Sequence, residues 1–177
     1  MAEPADYLDE VGEVVEELAR LGLQPILVGG MALVILGSRR VTRDFDFVTV
    51  QPIGVRMQEM LDALYDRGLE LVSRLHDNGD VAATISNRRV ASVRLRVDAP
   101  ASAYFFNPLT ALRIDLLFDF PIPAAQLAKD ATRLQVRSRV FRVASEADLL
   151  RLKKIAQGQR SFPGDAEDIA FLEARRK

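Results

Sequence analysis

The chain has 177 residues, 49% of them hydrophobic, so it can bury a core, and we expect one folded domain over 1–177 rather than a disordered chain. Its 24 basic and 25 acidic residues give a net charge of −1, which argues against a strongly basic nucleic-acid binder. The absence of cysteine excludes disulfides, thiolate zinc sites and cysteine nucleophiles, and the single histidine, His76, excludes an all-histidine metal site.

The first half of the chain predicts alternating helices and strands. Helical spacing of apolar residues predicts helices over 5–21, 30–37 and 53–67. Short apolar or alternating runs predict strands over 24–28, 43–50 and 69–75. Asn78-Gly79-Asp80 then predicts a tight turn. No apolar run is long enough to span a bilayer and no signal peptide is recognisable, so we expect a cytoplasmic protein without a membrane partner.

The second half predicts more strands and ends in helices. Alternating apolar residues predict a half-exposed strand over 90–97, and two prolines predict a loop over 98–110. A buried strand over 112–118, a hairpin over 136–143 and helices over 146–157 and 165–175 follow. Strands and helices intermingle, but the short loops and the alternation over 90–97 favour a mixed sheet over a doubly wound parallel one. We therefore predict an α+β fold with a mixed β-sheet flanked by helices. Its core spans about 22–120, and a C-terminal hairpin and helices span about 121–177.

Two glycines lie where a predicted strand passes into a helix. Gly29 and Gly30 let the backbone approach a ligand, and free N–H groups at a helix start attract phosphate. Paired glycines at such a turn also occur for steric reasons alone. The pattern is neither G-x-G-x-x-G nor a P-loop, so the glycines indicate phosphate binding only together with other features.

Two carboxylates lie on one face of the predicted strand 43–50. The period of two places Asp44 and Asp46 about 7 Å apart on that face, while Phe45 and Phe47 point into the core. Carboxylates this close repel each other, and a cation between them relieves the repulsion. The alternative is a solvated strand face near the edge of the sheet.

A third carboxylate, Asp115, lies within an apolar strand, where a charge needs a partner or a metal ion. The alternative is a salt bridge to an arginine other than Arg113, which we expect on the opposite face. A glycine turn, a carboxylate pair and a third carboxylate from a later strand form the arrangement that holds two magnesium ions over a triphosphate.

These motifs resemble a known superfamily. Gly29-Gly30, thirteen intervening residues and Asp44-Phe45-Asp46 resemble the glycine and DxD signature of the nucleotidyltransferase (polymerase β-like) superfamily. The stretch 40–46 is similar to the R-x-T-x-D-h-D pattern of its abortive-infection, AbiEii-type subgroup. Residues 144–153, and Arg160 with 165–169, resemble that subgroup's C-terminal helices. The resemblance spans about 24–172 and is least specific over 69–110.

The resemblance implies roles for individual residues. Asp44, Asp46 and Asp115 would be the catalytic residues and would bind Mg²⁺, two ions being expected with the nucleoside triphosphate (NTP), while Asp115 would also help deprotonate the acceptor hydroxyl. The residues implied in nucleotide and phosphate binding are Gly29, Gly30, Arg40, Thr42 and Lys153. The superfamily often has serine where this chain has Gly30.

We therefore predict a magnesium-dependent nucleotidyltransferase that moves NMP from an NTP to a hydroxyl of RNA, tRNA or protein. The subgroup implies a toxin with a cognate antitoxin. Outside the acidic first 17 residues, 24 basic and 18 acidic residues give +6, which is compatible with a polyanionic partner. One alternative is a non-catalytic interaction or nucleotide-binding module of the same fold. Another is a glycosyltransferase using its DxD motif, for which 177 residues leave little room.

Overall fold

A computed structural model describes residues 7–118 and 121–176. Within these ranges the chain forms eight strands: β1 Ile26–Val28, β2 Asp44–Thr49, β3 Glu70–Leu75, β4 Val81–Ile85, β5 Ser102–Phe106, β6 Arg113–Phe118, β7 Thr132–Val136 and β8 Arg139–Val143. The same ranges contain seven helices: α1 Leu8–Arg20, α2 Gly29–Ile35, α3 Val55–Tyr65, α4 Arg88–Asp98, α5 Ala124–Asp130, α6 Glu146–Gln159 and α7 Pro163–Arg175. None of these helices is both long enough and apolar enough to cross a membrane.

The strands form one mixed sheet in the order β4-β3-β5-β6-β2-β1-β8-β7. The pairs β2–β6 and β1–β8 are parallel, and the other neighbours are antiparallel. The predicted α+β class and mixed sheet are confirmed. The hairpin β7–β8 extends the sheet, because β8 pairs with β1 at Leu27.

One face of the central strands forms the core. Phe45 of β2, Ile114 of β6 and Phe105 of β5 lie side by side in the sheet register, and all three are fully buried. Phe47, two residues along β2, is also buried. The prediction that Phe45 and Phe47 anchor the strand in the core is confirmed.

The opposite face of the same strands carries polar side chains. Asp46, Asp115 and Tyr104 form one row across β2, β6 and β5, and Asp44 and Arg113 belong to the next row. The expectation that Arg113 points away from Asp115 was wrong, because residues two apart on a strand share a face. The sheet therefore separates an apolar face from a face that gathers charge.

The expected strand over 90–97 is wrong, because these residues lie in helix α4. The side chain of Asn87 caps this helix by accepting hydrogen bonds from the backbone N–H groups of Arg89 and Val90. Ala91 and Leu95 are buried at helical spacing. The apparent alternation of valines is one exposed helical stripe, since residues three and four apart share a helix face.

The expected loop over 98–110 is also wrong in part, because it contains β5. This strand pairs with β3 on one side and β6 on the other. Backbone hydrogen bonds to both neighbouring strands stabilise this short segment as a strand, although it lies between Pro100 and Pro108. Strand β4 and helix α5 lie in segments where the residue pattern predicted neither a helix nor a strand. Helix α7 begins at Pro163, two residues before the predicted start, because proline fits a first helical turn.

Candidate functional site

A cavity of about 390 Å³ lies where the β1–α2 junction, β2 and α6 meet. Its lining includes seven residues that the sequence analysis selected: Gly29, Gly30, Arg40, Thr42, Asp44, Asp46 and Lys153. The eighth, Asp115, is not part of the lining, but it lies beside Asp46 in the parallel register of β2 and β6. The structure thus brings together residues from four separate parts of the chain.

The two glycines differ in how strongly their surroundings require them. Gly29 has a φ of +72°, and a Cβ atom there would overlap the carboxylate oxygen Oδ2 of Asp46. A Cβ atom at Gly30 would lie 2.9 Å from Nη1 of Arg40, the far end of a flexible side chain that can shift. The steric explanation therefore accounts for Gly29 and is weak for Gly30.

Asp46 and Asp115 are adjacent acids in a poorly solvated place. Burial, and then the charge of Asp44, raise the pKa of Asp46 to about 7. Burial, and then the charges of Asp46 and Asp44, raise the pKa of Asp115 to about 7. The Oδ1 atom of Asp115 is buried without a hydrogen-bond partner. The fold therefore holds negative charge here that protein groups do not fully compensate.

These carboxylates fit a divalent cation in donor type and charge. Carboxylate oxygens are the ligands that Mg²⁺ prefers, and the unpartnered Oδ1 of Asp115 is a free donor. Among the described residues, no three such side chains are already gathered closely enough to hold a metal ion. An ion held by fewer than three of these carboxylates would complete its coordination with water or phosphate oxygens.

Three cations also line the cavity and are held by two buried acids. Nζ of Lys153 lies 2.7 Å from Asp168 and 3.8 Å from Asp165. Arg160 donates two hydrogen bonds, of 2.9 and 2.8 Å, to Asp165, and they lower the pKa of that carboxyl. Arg40 forms an ion pair with Asp168. This cation cluster, Arg40, Lys153 and Arg160 with Asp165 and Asp168, keeps one net positive charge at the cavity.

Arg160 is a site residue that the sequence analysis did not select. Arg160 belongs to the stretch that resembles the AbiEii-type C-terminal helices. Its spacing of five residues from Asp165 was the signal that could have identified it. The guanidinium groups of Arg40 and Arg160 also lie 5.5 and 5.2 Å from the centre of the Phe162 ring. Phe162 therefore helps to hold both cations at the cavity wall.

Tyr104 and Arg113 are two further residues that the sequence analysis did not select. The Tyr104 hydroxyl donates a hydrogen bond of 3.1 Å to Oδ1 of Asp44, and Arg113 donates one of 3.2 Å to that hydroxyl. Burial raises the pKa of Tyr104, so its hydroxyl stays protonated and able to donate. The available signal was the period of two, which places Arg113 on the face of Asp115.

No protein-family model and no curated protein sequence matches the chain. Several solved structures are similar to the chain. The lincosamide antibiotic adenylyltransferase LnuA, bound to lincomycin, is similar with a TM-score of 0.57 and 14% identity over 93% of this chain and 95% of that one. ANT(2'')-Ia in complex with adenylyl-2''-tobramycin gives a TM-score of 0.57 and 12% identity over 97% and 90%.

A nucleotidyltransferase-like protein from Paracoccidioides brasiliensis gives a TM-score of 0.57 and 18% identity over 94% of this chain and 75% of that one. At these identities the likeness concerns the fold. The chain has the same fold as these nucleotidyltransferase structures, and the predicted nucleotidyltransferase-like fold is confirmed.

Proposed function

We propose that this protein is a magnesium-dependent nucleotidyltransferase that moves NMP from an NTP to an acceptor hydroxyl. The observation that carries the proposal is the pairing of Asp46 with Asp115 in register, beside Asp44, at a cavity that the cation cluster also lines. Acidic and basic groups thus meet at one cavity. This is the distribution of charge that a metal–triphosphate complex requires.

The charge of the cavity supports a need for metal ions. With pKa values raised to about 7, Asp46 and Asp115 are only partly ionised at neutral pH, but together with Asp44 they still outweigh the single surplus positive charge of the cation cluster. A triphosphate alone would therefore meet net repulsion. Bound Mg²⁺ would supply positive charge that holds the triphosphate and stabilises the charge developing in the transition state. Asp44, Asp46 and Asp115 would hold it.

The remaining residues would bind and orient the nucleotide. Backbone N–H groups of Gly29 and Gly30, the Thr42 hydroxyl and the cation cluster would contact phosphate oxygens. The acceptor oxygen would attack the α-phosphorus, a new O–P bond would form, and the bond to pyrophosphate would break. Asp115 would help to deprotonate the acceptor hydroxyl.

We infer from the resemblance to the AbiEii-type subgroup that the acceptor is RNA, tRNA or a protein and that the protein is a toxin with a cognate antitoxin. A small-molecule acceptor is the second candidate, because LnuA and ANT(2'')-Ia, named for antibiotic substrates, align over at least 90% of both chains. The two candidates differ in the size of the labelled product.

Transfer of label from an α-³²P-labelled NTP tests the proposal. Wild type should label one acceptor class, RNA, protein or small molecule, when Mg²⁺ is present. Asp44→Ala/Asp46→Ala should label none. Nucleotide binding without transfer to any acceptor would contradict the enzyme and favour a non-catalytic module. Growth arrest on expression that persists in the double variant would contradict a catalytic toxin.

A further inference from the structure

A chain of hydrogen bonds leads from the β3–β4 turn to Asp44. Oδ1 of Asp80 lies 3.4 Å from Nη2 of Arg113. Nη1 of the same guanidinium donates to the Tyr104 hydroxyl, which donates to Asp44. Four side chains from the turn, β6, β5 and β2 are thus connected in sequence, and Asp44 is the end nearest the cavity.

Hydrogen bonds within the β3–β4 turn hold Asp80, the first residue of this series of hydrogen bonds, in place. The backbone N–H of Asp80 donates 3.0 Å to Oδ1 of Asn78, and the Asn78 amide donates 3.0 Å to Oδ2 of Asp80. Gly79 between them has a φ of +88°, which glycine adopts without strain. Oδ2 of Asp80 is therefore engaged within the turn, and Oδ1 accepts from Arg113 at 3.4 Å and from Arg43 at 3.5 Å.

Arg113 is the rigid link. Its side chain is largely buried, and its guanidinium lies 5.8 Å from the centre of the Phe106 ring. The planar fork of arginine can bond Asp80 with one nitrogen and Tyr104 with the other, which an ammonium group cannot do in the same geometry. Arg113 therefore determines where the Tyr104 hydroxyl points.

We propose that Tyr104 is a positioning residue for Asp44, and that Arg113, anchored by Asp80, orients Tyr104 in turn. The hydrogen bond to Oδ1 holds the Asp44 side chain in one orientation and leaves Oδ2 available to a cation at the cavity. The inference rests on the proposed function, since it treats Asp44 as a cation ligand. Partners of this kind behind a metal ligand typically change metal affinity or activity by about 10- to 100-fold when removed.

Tyr65 provides a matched control. Its half-buried hydroxyl also makes two hydrogen bonds, donating 2.6 Å to the carbonyl of Ile85 and accepting 3.0 Å from the N–H of Leu71. These bonds join strands β3 and β4 and do not involve a carboxylate of the site. Tyr65→Phe and Tyr104→Phe each remove one hydroxyl and keep the ring, so their comparison isolates the contact with Asp44.

The test uses the full chain as wild type, Tyr104→Phe, Arg113→Lys and Tyr65→Phe. Calorimetry with Mn²⁺ alone should show affinity about tenfold weaker in Tyr104→Phe and a smaller loss in Arg113→Lys. Tyr65→Phe should bind Mn²⁺ as wild type does. In transfer assays, Tyr104→Phe should need more Mg²⁺ for half-maximal rate, while KM for the NTP at saturating Mg²⁺ stays within twofold. Thermal unfolding confirms that each variant is folded.

Equal Mn²⁺ affinity and equal Mg²⁺ requirement in Tyr104→Phe and wild type would overturn the inference and leave the proposed function intact. Equal losses in Tyr65→Phe and Tyr104→Phe would overturn it too, because the effect would then be a general one on the fold. If wild type binds Mn²⁺ no better than Asp44→Ala does, the metal site of the proposed function fails as well.

Discussion

The two faces of strands β2, β6 and β5 differ in their effect on stability, although the same backbone carries both. Phe45, Ile114 and Phe105 form a fully buried apolar row on one face. On the other face, Asp46 and Asp115 lie side by side with raised pKa values. The first face stabilises the fold through burial, and the second costs stability until a cation or proton arrives.

This difference shows which side chains stabilise the fold and which serve the site. Successive side chains along these strands alternate between the buried core face and the face of the site. The polar face can hold uncompensated charge because the apolar face fixes the backbone beneath it. Substitutions on the two faces should therefore change different quantities, and by different amounts.

The largest expected effect lies on the apolar face. Phe45→Ala removes a fully buried ring and should lower the free energy of unfolding by about 3–5 kcal/mol. Urea denaturation measures the loss. Val41→Ala, at a position that is 90% exposed, is the control and should change the free energy by less than about 0.5 kcal/mol. A loss below about 1 kcal/mol for Phe45→Ala would contradict the assignment of the core to this face.

The polar face should respond to pH in the opposite direction from a salt-bridged acid. Because the pKa of Asp46 is raised to about 7, the folded protein binds more protons than the unfolded chain between about pH 4 and 7. Metal-free wild type should therefore lose stability on this account as pH rises through that range.

Asp46→Asn removes this contribution, together with the charge that helps to raise the pKa of Asp115. In metal-free denaturation experiments, the variant should gain stability over wild type on going from pH 5 to pH 8, by about 2–3 kcal/mol. Added Mg²⁺ should stabilise wild type at pH 8 and leave the variant unchanged. A constant difference between the two proteins at both pH values would show that Asp46 carries no uncompensated charge.

The smallest expected effect is a change in KM for the NTP, and it should differ between two adjacent lysines of α6. Lys153 is buried against Asp165 and Asp168 at the cavity, whereas Lys154 is exposed and pairs with Glu173. Lys153→Gln should raise KM for the NTP about tenfold, the effect of one charge-assisted hydrogen bond. Lys154→Gln should stay within twofold. Equal KM values for both variants would remove Lys153 from the phosphate site.

The sequence predicted the residues of the cavity better than it predicted the sheet beside them. The period of two around Asp44 and Asp46 correctly separated a core face from a charged face on β2, whereas Arg113 of β6 was assigned to the wrong face. Glycine spacing placed Gly29 and Gly30 at the junction. These signals are local, so they can be read from a few neighbouring residues.

The remainder depends on contacts distant in the sequence. The strand over 102–106 is stabilised by partners on both edges, and nothing within it reveals them. In α4, the spacing of the valines was interpreted as the alternation of a strand. The Asn87 N-cap was the sequence signal that favours a helix over a strand. Tyr104 could not be linked to Asp44 without β5, because the two are 60 residues apart.

The most direct test of the central claim is calorimetric binding of a non-hydrolysable NTP analogue with and without Mg²⁺. The carboxylates outweigh the cation cluster, so wild type should bind the analogue at least about tenfold more tightly with Mg²⁺ than without it, and Asp46→Asn should lose that dependence. Equal affinity of wild type in both conditions, or an undiminished Mg²⁺ effect in Asp46→Asn, would contradict a metal–triphosphate site at these carboxylates.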